Sequence, residues 1–390
     1  MKILIIAKNV GRVAPGIVCE RLIKGLSDKH ELDILTTDFA PSIIFDKINT
    51  VIKFKYRETH ASIAKLFISF FGVNPLDIYF ANKAVTQCND KYDLILSIIS
   101  SNHYISLMIG NRLSQKTKLK HFTHFLDAIP APGAWLKNDL FCKRLKRFVY
   151  KNLAKVDALF STNQKMLDYQ LSTFKAKKNL ISEVIFNPAE TTFQYFPYSN
   201  KHINTFLFTG GLYGPRKPDY LLAAFKVLLK DYPNSKLEFV GSRIPSNCFS
   251  IFSASEREKI ILHPFTKDLN NYYERATALI DIDADTEDDV FLSSKIINYI
   301  MINRTIISET GIRSPSREIF KGIPSILQCA HDINELVDAM KQAISEKGKE
   351  DFCDRADVIS LFKLSSVIDK LNNAINQEHP LISVERIYGG

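Results

Sequence analysis

Apolar positions in this chain follow two alternating patterns from one end to the other. Short uninterrupted runs rich in β-branched residues, such as Ile3 to Ala7, predict buried strands, and the longer stretches between them carry apolar residues at three- and four-residue spacing and predict helices. In the first half the strands are expected near Lys2–Ala7, Glu31–Thr36, Asp93–Ile98, Lys120–Phe125, Asp157–Ser161 and Ser182–Phe186. A second series is expected near Thr205–Thr209, Lys236–Val240, Lys259–Leu262, Ala278–Ile282, Thr305–Ser308 and Ser325–Gln328. The clearest helix is Tyr220–Lys230, where Leu221, Leu222, Phe225, Leu228 and Leu229 share one face. Strands alternating with helices in this way imply βα units and parallel sheets.

The pattern breaks between Asn187 and Asn204, where Pro188 and Pro197 stand in a stretch without period, so a linker is expected there. The expected division is a first domain over 1–190, a second over 191–357, and C-terminal helices and tail over 358–390 that cross back to the first domain. A length of 390 residues suits two domains of roughly 150 residues or more each. With 46% hydrophobic and 24% charged residues the chain has the composition of an ordinary globular protein. No run reaches the about 18 apolar residues a membrane span needs, and Ile3–Ala7 is too short for a signal-peptide core, so a cytoplasmic protein is expected. Six scattered cysteines form no Cys-x-x-Cys pair and read as reduced thiols. The formal charge of +9 calls for an anionic partner without choosing between nucleic acid, membrane and phosphorylated small molecules.

Doubly wound sheets bind ligands just beyond the carboxyl ends of their strands, and four loops there carry chemistry. After the first strand, Lys8 to Gly16 contains Gly11, Pro15 and Gly16 and can present backbone N–H groups to an anion or a sugar. The second series opens with Thr209-Gly210-Gly211-Leu212-Tyr213-Gly214-Pro215-Arg216-Lys217-Pro218, a glycine turn and two cations before a helix, suited to a diphosphate whose charge Lys217 neutralises. The third loop runs from acidic Asp281–Asp289 into Ser293-Ser294-Lys295 and Asn298, with serines to cap a helix, a lysine to reach phosphate, and Asp288 and Asp289 either accepting from sugar hydroxyls or simply solvated. In the fourth, His124 and Asp127 end a first-domain strand where a sugar or acceptor pocket is possible, although a strand histidine also serves as packing. Separately, segment 136–155 holds seven cations against Asp139 and reads as a basic amphipathic helix suited to anionic lipid head groups.

Taken in order, the strand, Gly turn, Pro-Arg-Lys, amphipathic helix and Lys236–Gly241 resemble the retaining GT-B glycosyltransferases of bacterial polysaccharide, glycolipid and lipopolysaccharide synthesis, a family-4-like group. Ser294-Lys295-Ile296-Ile297-Asn298-Tyr299 is similar to that family's Pro-Ser-Lys-x-x-Glu-Tyr helix start. The resemblance implies an α/β fold with two Rossmann-like, doubly wound parallel-sheet domains facing a central cleft. It implies transfer of a hexose from a UDP- or GDP-sugar to a glycan or lipid-linked glycan with retention, the cleft closing to exclude water, and no cofactor or metal required. Donor contacts would come from Gly16, Gly210, Gly211, Arg216, Lys217, Asp289, Ser294, Lys295 and Asn298, and catalytic ones from His124, Asp127 and Lys217. Gly211 stands where many members carry arginine, Asn298 where they carry a ribose-binding glutamate, and Val290 where the first acid of the paired-glutamate pattern belongs. Asp281-Ile282-Asp283 matches the metal-binding Asp-x-Asp of other glycosyltransferases but ends a predicted strand and reads as structural. A nucleotide-sugar 2-epimerase and a non-catalytic GT-B-like binding protein share the architecture. No nucleic-acid-binding motif occurs.

Overall fold

The structure is a computed structural model that describes residues 1–45, 47–88, 91–100, 104–175, 179–198, 202–348 and 352–377. The chain divides into two compact units: Met1–Asn187 with Leu364–Gly390, and Pro188–Lys363.

Unit 1 holds β1 (Lys2–Ala7), β2 (Asn9–Gly11), β3 (Glu31–Thr36), β4 (Asp38–Ala40), β5 (Ile48–Lys53), β6 (Leu94–Ile99), β7 (Lys120–Phe125), β8 (Ala158–Ser161) and β9 (Ile181–Val184). Seven of these form one parallel sheet in the order β5-β3-β1-β6-β7-β8-β9, and β2 pairs with β4 beside it. Residues 3–7 of β1 are all buried because the strand is covered on both faces, which is why it reads as a continuous apolar run. The run from β1 through β3 to β5 goes one way and the chain then returns to place β6 against β1, so the sheet is doubly wound with its switch point between β1 and β6. Strand β5, INTVIK, was not expected: it is a half-exposed edge strand whose polar residues dilute the apolar signal.

Unit 2 repeats the plan with β10 (Asn204–Thr209), β11 (Ser235–Val240), β12 (Ile260–His263), β13 (Ala278–Ile282), β14 (Thr305–Glu309) and β15 (Ile326–Cys329) in the parallel order β12-β11-β10-β13-β14-β15. Its switch point lies between β10 and β13. The helix Asp219–Asp231 buries the five apolar residues expected to share a face, together with Ala224, and packs on the helix Ile333–Ser345 over the sheet.

The sharpest difference from the expected boundaries concerns the C-terminal region. The helix Ala356–Phe362 stays with unit 2, where the Phe362 carbonyl accepts from Ala189 N at 2.9 Å. The helix Leu364–Asn376 belongs to unit 1 and buries Val367, Ile368, Leu371, Ala374 and Ile375 in the core that Ile3, Leu22 and Leu26 also build. Each large aliphatic side chain so buried contributes roughly 1.5–3 kcal/mol. The fit against helix Ala14–Ser27 is close, since a Cβ on Gly25 would stand 2.2 Å from Ile368 Cγ1. The expected tail with Pro380 and the paired glycines lies outside the described residues.

Candidate functional site

The switch point of unit 2 brings together the glycine turn after β10 and the acidic end of β13, so that Arg216 and Asp283, 67 residues apart in sequence, meet in one corner. Gly210 adopts φ +86°, a conformation that a side chain strains, and a Cβ there would come within 3.1 Å of Lys295 Cε. The glycine thus lets the Lys295 side chain lie along the turn, its ammonium 5.1 Å from the Phe208 ring. Two further bonds fix the corner. Thr209 N donates to Tyr299 Oη at 2.9 Å, tying the turn to the helix Ser294–Tyr299, and Ser242 Oγ donates to the Gly210 carbonyl.

Beneath this turn lie two fully buried carboxylates, Asp281 and Asp283. Ser293 Oγ donates to Asp281 Oδ1 at 2.7 Å and accepts from Lys295 N at 3.3 Å, so one hydroxyl both caps the helix and holds the strand end. Asp283 accepts from Arg216 Nη2 at 3.1 Å, Ser314 Oγ at 2.8 Å and Ala284 N at 3.0 Å. Burial raises the Asp281 carboxyl to about 6, helped by the like charge of Asp283 and opposed by Lys295. Burial likewise lowers the Lys295 ammonium to about 8, with Arg216 adding repulsion and the two aspartates opposing. The corner therefore sets two carboxyl groups against two basic ones, and Lys295 gives up its proton more readily than an exposed lysine.

The site residues read from the sequence separate into distinct settings. Lys217 is exposed and makes no ion pair among the described residues. Arg216 is different: its side chain is 5% exposed and engaged with Asp283, with Nη1 donating to Tyr213 Oη at 3.2 Å. Gly211 is exposed beside it. The Asn298 amide oxygen accepts from Glu190 N at 2.9 Å, which ties the start of unit 2 to this helix. Asp289 is fully buried, its Oδ1 accepting from Phe291 N at 3.2 Å, so it shapes the loop from within. Its neighbour Asp288 is exposed and paired with Arg313 at 2.8 Å. Ser293 caps the helix, whereas Ser294 is exposed.

In unit 1, Gly16 sits in the helix Ala14–Ser27 where a Cβ would stand 2.2 Å from the Gly11 carbonyl oxygen. His124 is fully buried in β7, with Nε2 at 3.1 Å from the Ile185 carbonyl and burial holding its imidazole down to about 4. The imidazole expected to be catalytic is thus enclosed between the Ile185 carbonyl and the Phe160 ring, a packing environment. Asp127 is half-buried just past the end of that strand.

No family model and no curated protein matches the chain. Solved structures do match it along nearly its whole length. HepE from Anabaena in complex with UDP-glucose aligns with TM-score 0.65 at 11% identity, covering 96% of this chain and 99% of that one. The lipopolysaccharide outer core galactosyltransferase WaaB aligns with TM-score 0.63 at 15% identity over 96% and 99%, and a glycosyltransferase from Rickettsia africae with TM-score 0.64 at 12% over 97% and 99%. The fold is that of the GT-B glycosyltransferases. Identities this low establish the GT-B architecture and leave the chemistry to the residues. Sequence reasoning missed Ser314 and Tyr299 as parts of the corner, because their partners lie 31 and 90 residues away and only the folded unit brings them together.

Proposed function

We propose that this chain is a glycosyltransferase that takes a hexose from a UDP- or GDP-sugar and passes it, with retention of configuration, to a glycan or lipid-linked glycan in surface polysaccharide synthesis. The observation that carries the reading is Lys295 lying along the Gly210 turn at the switch point of unit 2, with Lys217 exposed on the same loop. A diphosphate leaving group needs preorganised N–H groups and cations where its charge develops. Gly210 and Gly211 supply backbone at close approach, and the two lysines supply the charge. Arg216 acts behind them, holding Asp283 so that the strand end keeps its place. Solved GT-B proteins seen with UDP and with UDP-glucose favour a uridine nucleotide first. Asp127 has the exposure in unit 1 to approach a ligand, and no metal enters this scheme.

A second reading is a GT-B-like protein that binds without catalysis. It is favoured by the Asn298 oxygen, which accepts from the Glu190 amide instead of standing open to a ribose hydroxyl.

The test is a thermal-shift panel of UDP, GDP, ADP, CMP and their sugar derivatives on wild type, Lys217→Ala and Lys295→Ala. Saturation at about 100 times Kd stabilises the native state by about 2.7 kcal/mol. A shift with one nucleotide series, lost in both variants, supports the donor site. A shift without turnover of the nucleotide sugar, with or without glycan acceptors, favours the non-catalytic protein. No shift at millimolar nucleotide removes the glycosyltransferase reading and favours the protein that binds a partner without catalysis.

A further inference from the structure

Unit 1 carries an apolar helix that turns much of its surface outward. In the helix Ala61–Phe71, ASIAKLFISFF, only Ile68 is buried. Leu66, Phe70 and Phe71 are 56%, 66% and 69% exposed. Scattered apolar residues on a surface need no explanation, but four exposed large ones on one 11-residue helix, Ile63, Leu66, Phe70 and Phe71, mark an interaction site. Its single charge, Lys65, pairs with Asp139 at 2.6 Å and stands 5.6 Å from the Phe141 ring, which pins the helix to the start of a second one, Leu140–Leu153. A surface cavity of about 350 Å³ opens between the two, lined by Leu66, Phe70 and Leu140 among others.

The second helix buries Leu145, Val149 and Leu153 and turns the opposite face outward. That face carries Lys143, Lys146, Arg147 and Lys151, with Arg144 half-buried at its edge and no acidic residue between Leu140 and Leu153. Leu140 and Tyr150 are 52% and 41% exposed among these cations. An apolar helix end joined to a cationic helix is complementary to a surface that is anionic outside and apolar just beneath.

We propose that this two-helix surface docks the protein on an anionic lipid bilayer, with Phe70, Phe71 and Leu66 entering the acyl boundary and the basic helix lying against head-group phosphates. Insertion stops at the interface. The helix has 11 residues and is therefore about 16 Å long, half of the roughly 30 Å hydrocarbon core. Among the described residues no single helix is long and apolar enough to cross a membrane. A second copy of the chain fits this face poorly, because a two-fold interface would set each basic helix near its own image. The surface uses no residue of the proposed donor site, so the two readings stand or fall separately.

The experiment is co-sedimentation of the full chain with vesicles of phosphatidylcholine alone and of phosphatidylcholine with one-third phosphatidylglycerol. Wild type is expected to pellet with the anionic vesicles and to be released by salt. Phe70→Ser with Phe71→Ser abolishes pelleting, and Lys143→Glu with Lys146→Glu and Arg147→Glu weakens it by at least ~100-fold, since each of the three cations near such a surface is worth about fivefold. All these positions are exposed, and unchanged circular-dichroism melting confirms that the variants fold. Equal pelleting with neutral and anionic vesicles, or binding by the glutamate variant equal to wild type, overturns the proposal. So does a failure to bind vesicles, and a self-association lost in the serine variant assigns the face to a second copy instead.

Discussion

The Arg216 guanidinium meets the Asp283 carboxylate at 3.1 Å with their side chains 5% and 0% exposed. The pair sits where β13 ends, and Ser314 and the Ala284 amide complete the shell around the carboxylate. An arginine beside a glycine turn reads in sequence as a phosphate ligand, and here it neutralises a buried acid. Breaking a buried pair from one side leaves an uncompensated charge and costs about 3–5 kcal/mol. Arg216→Ala is therefore expected to lower the unfolding midpoint in urea, and adding Asp283→Asn to recover much of the loss. An Arg216→Ala protein with wild-type stability and no nucleotide binding would make the arginine a ligand contact after all.

Lys295 gives nucleotide binding a pH signature. Its ammonium is lowered to about 8 by burial and by Arg216, so in the free protein it loses its proton in a range where exposed lysines keep theirs. Diphosphate prefers the charged form. Affinity for UDP-glucose, measured calorimetrically, is expected to be full at pH 7 and to fall as pH rises through about 8. Lys295→Ala should bind about 10- to 100-fold more weakly at pH 7 and show no such decline. Lys217→Ala should weaken binding while keeping the decline. A decline that survives in Lys295→Ala sinks this assignment.

How far these features were legible depends on whether they are local. Strands such as β1, β3 and β7 are covered on both faces and announce themselves as apolar runs, and both glycine loops and the Ser293 cap are readable because turn and cap chemistry acts within a few residues. Strand β5 was not legible, because half its residues face solvent and its partner β3 supplies the ladder. The Thr209–Tyr299 bond joins residues 90 apart and Arg216–Asp283 joins residues 67 apart, and nothing in either local sequence encodes the partner. The same holds for the helix Ala61–Phe71. Its apolar run is plain in the sequence, but only the folded unit shows that just one residue of it enters the core. His124 shows the same limit: its place near the end of a strand is plain in the sequence, yet only the folded unit shows that its side chain is fully buried.

That burial of His124 predicts an acid response. Its imidazole titrates near 4 in the folded protein and near 6.5 when unfolded, so the unfolded chain binds more protons in between and stability falls as pH drops through 6.5. At pH 5 the loss is about 2 kcal/mol by this linkage. Asp281 acts in the opposite sense in unit 2: its carboxyl is raised to about 6 from 3.8, so its contribution is largest at low pH and is lost as pH rises through about 6. Thermal unfolding of His124→Phe between pH 7 and 5 should therefore show a smaller drop than wild type, with nucleotide binding unchanged. A variant that keeps the wild-type acid slope would mean that His124 is not the buried neutral group described here.

Gly16 supplies the last prediction. Alanine in place of glycine inside a helix ordinarily gains about 1 kcal/mol, and Gly16 lies in the first turns of helix Ala14–Ser27. Here the Cβ would stand 2.2 Å from the Gly11 carbonyl oxygen, and Gly11 itself has φ +81° with its own Cα pressed on Ala40, where a Cβ would meet the carbonyl oxygen at 2.1 Å. Neither backbone can retreat without breaking the pairing of β2 with β4. Overpacking of this kind costs about 1–3 kcal/mol or displaces the loop. Gly16→Ala is thus expected to lower the melting temperature or to leave it unchanged with the Lys8–Gly16 loop moved. Because the loop belongs to unit 1 and the proposed diphosphate corner to unit 2, UDP affinity measured calorimetrically should hold in this variant. A melting temperature raised by the full helix-propensity gain would mean that the Gly11 carbonyl does not press on this position.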